Sequence, residues 1–146
     1  MSAMSDYLEN KLVDHIFRGV SFTAPAELHV ALFTAAPSDS GGGTEVSGGS
    51  YARAALAPST TNWASTGGAT TTTNPSAGTG GATSNNGAIT FPAPTANWGV
   101  ATHFGIFDAS TSGNLLVWGA LTASKTINNG DAAPSFAISA LAVTLA

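Results

Sequence analysis

From Ser5 to Gly19 the apolar residues Leu8, Leu12, Val13, Ile16 and Phe17 recur at three- and four-residue spacing. That period puts them on one stripe of a helix, with Asn10, Lys11, Asp14 and Arg18 on the other side. Ser5 is a suitable N-cap, and Asp6 and Glu9 sit in the first turn, where the helix dipole favours acids. Asp14 and Arg18 form an i,i+4 pair of stabilising sign, and Gly19 supplies a left-handed terminator. A helix over 5–18 is marginal by itself, so its stripe must dock, either on its own domain or on a neighbouring subunit. The candidate assembly face is Leu8, Leu12, Ile16 and Phe17.

Beyond Gly19 the period changes to two. Glu27 to Thr34 alternates Leu28, Val30 and Leu32 against His29, Ala31 and Phe33. Tyr51 to Leu56 reads as a weaker strand, and Ala88 to Phe91 as a short one stopped by Pro92. Val100 to Phe107 alternates clearly, Asn114 to Thr122 is apolar enough for burial on both faces, and Ala137 to Leu145 closes the chain. Asp108 to Gly113 reads as a hairpin loop, and Asn128 to Asp131 as a tight turn. The expected fold is mainly β: an antiparallel β-sandwich or Greek-key barrel of about six or seven strands with one N-terminal helix. Residues 1–146 form a single domain on this reading, with the β-sandwich over 27–145.

One stretch resists the pattern. Residues 65–87 are almost entirely Thr, Gly, Ala, Ser and Asn, and no charged residue occurs between Ala54 and Phe107. They are expected to form a long Thr/Gly-rich loop, which is unusual inside a small domain. Asn62-Trp63 and Asn97-Trp98 bracket it. Trp63 and Trp98 are candidate loop anchors, or contact residues for a partner.

Charge narrows the function. Only 8% of residues are charged, against roughly 25% in ordinary soluble domains. Little self-repulsion remains and sheet edges lose their usual guard, both of which suit closely packed copies. The net charge is −4, and the four basic residues (Lys11, Arg18, Arg53 and Lys125) are scattered. That argues against phosphate-neutralising nucleic-acid binding and against a polybasic membrane contact. Cysteine is absent, which excludes disulfides, thiolate zinc sites and Cys nucleophiles. No apolar run approaches the ~20 residues of a membrane span. The N-terminus has no signal-peptide pattern, so synthesis in a bacterial host's cytoplasm is expected.

Catalytic motifs are missing. There is no Gly-x-Ser-x-Gly elbow, and Gly41 to Gly43 lacks the Lys-Ser/Thr and helix of a phosphate cradle. His15 lies on the helix's polar side, while a site built from His29, His103 and Asp108 has no spacing motif behind it. The expectation is a protein without enzymatic activity, cofactor or metal.

Segment order says more. Asp6 to Gly19 leads into Leu28-His-Val-Ala-Leu-Phe-Thr-Ala-Ala-Pro-Ser38, then Gly42-Gly-Thr-Glu-Val-Ser-Gly-Gly-Ser-Tyr-Ala-Arg53 and Ala88-Ile-Thr-Phe-Pro92. Trp98-Gly-Val-Ala-Thr-His-Phe-Gly-Ile-Phe-Asp108 and Gly113-Asn-Leu-Leu-Val-Trp-Gly-Ala-Leu121 follow. Over nearly its whole length the chain resembles small structural proteins of tailed bacteriophages and prophages, usually labelled phage tail fiber proteins. The resemblance implies a virion protein present in several copies. Its partners would be itself (a homo-oligomer, for which a trimer fits) and other virion proteins. A long shaft repeat and extended coiled-coil heptads are both absent. A capsid decoration protein and a glycan-binding adhesin tip, in which Trp63 or Trp98 would meet a host surface glycan, therefore stand as alternatives.

Overall fold

The alternating run before Asp108 and the apolar run after Gly113 pair with each other and form the centre of the fold. In the computed structural model, which describes residues 2–66, 76 and 80–145, these are β7 (Gly99–Phe107) and β8 (Leu115–Ile127). Before them come β1 (Ser2–Met4), α1 (Asp6–Phe17), β2 (His29–Ala35), β3 (Thr44–Glu45), β4 (Ala54–Ala55), β5 (Ala82–Ser84) and β6 (Ile89–Thr90). After them come β9 (Ser135–Phe136) and β10 (Ala142–Thr144). The turn joining β7 to β8 is closed by the Asp108 carboxylate, which accepts from the Asn114 backbone N–H at 2.6 Å and its side-chain amide at 2.7 Å. Gly113 has φ +73°, and a Cβ there would lie 2.6 Å from that carboxylate, so the turn requires glycine.

A six-stranded antiparallel sheet runs in the order β1-β8-β7-β2-β3, with β4 also pairing to β2. β3 and β4 divide the outer edge of β2 between them: Phe33 faces Glu45, while Val30 faces Ala54. Two antiparallel ladders, β5 with β10 and β6 with β9, complete the described strands. Val30, Ile106 and Val117 form one cross-strand row, and Leu32, Phe104 and Gly119 the next. Apart from Gly119, these residues join Ile89, Phe91, Leu141 and Val143 from the ladder regions in the core. The opposite face of the sheet is also apolar: Phe33 stacks on Phe107 at 6.3 Å, and a Cβ on Gly105 would come within 2.9 Å of the Phe33 ring.

The sequence reading is matched in class: the protein is mainly β and antiparallel, with one helix near its N-terminus. Several boundaries differ. Ten strands occur among the described residues, rather than about six or seven, because short pieces acquire strand geometry only through a partner. Tyr51 to Leu56 contracts to Ala54–Ala55, since Tyr51 turns its ring onto Phe91 and Trp98. The final strand contracts to Ala142–Thr144, because Ala137–Leu141 wraps around the fully buried Asn85. Asn85 donates to Gly87 O and Ala137 O and accepts from Leu141 N, at 2.7, 2.8 and 2.9 Å. The stretch 65–87 is not a loop throughout: Ala82–Ser84 pairs with β10, and Trp63 bridges to Asn85. The rest of that expectation falls at 67–75 and 77–79, outside the described residues.

Candidate assembly site

α1 is fixed at one end. The Ser5 hydroxyl donates to Leu115 O and accepts from Leu8 N, and Ser5 N donates to Leu116 O at 2.9 Å. The cap therefore extends the β1–β8 pairing directly into the helix, whose next donor, Asp6 N, reaches Asp39 O at 2.9 Å. Tyr7 and Leu8 pack against the core. No residue of the helix is buried, and its second half stands free, with Val13 49%, Ile16 65% and Phe17 80% exposed. Gly19, at φ +69°, stops the helix, and Val20 (51% exposed) extends the apolar surface. His15 accepts from Phe22 N at 3.3 Å and helps turn the chain back. Of the four residues read from sequence as one face, Leu8 and Leu12 are half-buried, while Ile16 and Phe17 point into solvent.

On another part of the surface lies an open apolar cleft of about 690 Å³. Phe104, Ile127 and Leu141 line its floor, and Leu121, Lys125 and Phe136 stand around it. Its geometry follows from a large bulge in β8: Ala101 pairs with Lys125 and His103 with Ala120, so residues 121–124 oppose Thr102 alone. β1 pairs with β8 only at Val117, Trp118 and Gly119, and among the described residues no strand covers that edge further on.

A second cavity, about 560 Å³ and more polar, opens between the helix start, the Asp39–Gly43 loop and the β7–β8 turn. Its wall holds a network that the sequence does not advertise. Tyr51 OH accepts from Leu32 N at 3.0 Å, filling the gap between β3 and β4, and donates to Glu45 Oε1 at 3.1 Å. Glu45 in turn takes two bonds from Arg53, both at 2.8 Å. The guanidinium lies 3.6 Å from the Phe107 ring centroid and donates onward to Ala109 O and Ser112 O at 2.9 and 2.8 Å. Burial pushes the Tyr51 phenol well above its ordinary range, against a smaller opposing effect of the Leu32 N–H, so it stays a donor. With its charge matched by Glu45, Arg53 ties the sheet edge to the hairpin turn and has little left to offer an anion.

The two Asn-Trp pairs differ in their surroundings. Asn62 donates to Ala57 O at 2.9 Å, and Asn97 accepts from Asn129 N at 2.8 Å. The Trp98 indole is 5% exposed and donates to Gly49 O at 2.9 Å. A Cβ at Gly49 would lie 2.7 Å from Ala96, so the close approach depends on that glycine. Trp63 is half-buried beside the core, and its Nε1 has no partner among the described residues.

His29, His103 and Asp108 engage different groups. His29 stands 3.6 Å from Glu27, His103 Nδ1 is 2.8 Å from Thr102 Oγ1, and Asp108 is occupied by Asn114. Among the described residues, no cluster of three or more His, Asp or Glu has metal-binding geometry, and no helix is long and apolar enough to cross a membrane.

Comparison with known proteins gives a family match. No curated protein matches the sequence. A family model does, over residues 3–144, from β1 through the last strand, so the helix, the cleft and the Glu45–Tyr51–Arg53 network all lie inside the match. The chain belongs to the family described as podophage GP4 fiber I protein gp80.

Proposed function

We propose that the protein is a non-enzymatic structural module on the exterior of a tailed phage particle, a tail appendage component present in several copies. The family match over residues 3–144 carries this reading. The form of the molecule supports it: a β body from which an apolar helix end projects, uncovered by the described residues. Low charge suits close packing of copies, and the partners are other copies of the chain and neighbouring virion proteins. Nucleic acid and membrane are not among them, since four scattered basic residues, one locked by Glu45, build no basic surface. Of the two indoles that a sugar platform could use, Trp98 is buried and Trp63 is half-buried.

Gold-labelled antibody against the chain, viewed by electron microscopy on intact particles, tests the location. The expected result is label confined to the tail. Label spread evenly over the head would replace the appendage reading with capsid decoration, and unlabelled particles would remove the virion role altogether.

A further inference from the structure

We infer that the exposed half of α1 docks into the apolar cleft of a second copy, giving a head-to-tail contact between identical chains. The inference deepens the structural reading above and rests on it. Each chain carries one projecting apolar helix end and one open apolar cleft, on different elements, and none of the described residues covers either.

Charge supports the match. Lys125 is the one charged residue among those lining the cleft. On the helix, Glu9 lies one turn before Val13 on the exposed side, so an acid accompanies the apolar stripe. Ile16 and Phe17 would enter beside Leu121 and Phe136, with Glu9 brought towards Lys125. Small residues on the cleft wall (Ala120, Ala123, Ala140 and Ala142) leave room for a helix backbone to come close.

Two helices pairing with each other would leave the cleft open, whereas helix in cleft covers both apolar surfaces, and each chain then makes two such contacts. Contacts of this heterologous kind close into a ring when the rotation permits.

Light scattering after size exclusion, on the full chain at micromolar concentration, tests the contact. The wild type should elute as an integral multiple of the monomer. Phe17→Asp and Ala123→Trp alter exposed positions, and each should elute as a monomer. An equimolar mixture of the two should form a one-to-one complex, because each variant keeps the surface the other has lost. Should Ala123→Trp fail to fold, charge exchange takes its place. Glu9→Lys or Lys125→Glu alone should weaken association at least about tenfold, and the double exchange should restore it.

A monomeric wild type would overturn the inference, as would Ala123→Trp assembling normally or a mixture that stays monomeric. Loss through Phe17→Asp alone would mean that the helix docks elsewhere. These results are independent of antibody labelling, so self-docking can fail while the tail location stands.

Discussion

The Arg53 side chain is 8% exposed yet makes four hydrogen bonds, two to Glu45 and two to carbonyls of the β7–β8 turn. Removing one partner of such a pair leaves the others desolvated without compensation, which costs more than the pair contributes. Arg53→Ala should therefore lower unfolding free energy by about 2–4 kcal/mol in urea, with Arg53→Lys recovering less than half, since lysine lacks the bidentate fork. A loss within experimental error of zero would show that the network is incidental. Asn85 poses the same question in neutral form: Asn85→Leu strands Leu141 N and two carbonyls and should cost about 2–4 kcal/mol. Tyr51 adds a pH signature. Its phenol is held above the ordinary value of 10.0, so the folded state keeps a proton that the unfolded chain releases. Stability from this group is complete below pH 10 and falls as pH rises beyond it, and Tyr51→Phe should remove that part of the alkaline slope.

At the scale of elements, α1 divides into a docked first turn and an exposed second half. Ser5→Ala breaks the cap and its tie to Leu115 O, so chemical denaturation should show a loss of about 1–2 kcal/mol. Phe17→Asp should change monomer stability by no more than about 0.5 kcal/mol, because an 80% exposed ring contributes little to folding. A large loss there would mean that the stripe belongs to the protein's own core. The helix was legible because its period is strong and Ser5 and Gly19 mark both ends. β7 and β8 were legible for the same reason, each running long enough to show its pattern. β3 and β4 were not, since two residues carry no period and become strands only because β2 offers its edge. Asn85 was hidden differently: nothing local separates it from Asn86, and its role comes from Leu141 and Ala137, more than fifty residues away in the chain. The stripe itself could be read from sequence, but its division at Leu12 could not, because that depends on where β8 ends its cover.

For the molecule as a whole, the low charge and the two uncovered apolar surfaces point the same way. In the proposed assembly copies sit at high local concentration, where few like charges oppose packing. The Glu45–Tyr51–Arg53 network and the Asn85 turn link separate parts of the β body, and Ser5 ties α1 to the sheet on which the proposed contact would bear. Cryo-electron microscopy of intact particles, with focused reconstruction of the tail, tests this account most directly. It should show this β body repeated around the tail, with residues 13–20 of each copy covered by a neighbour. Tail density without the fold, or copies whose helices stand free in solvent on the head, would contradict it.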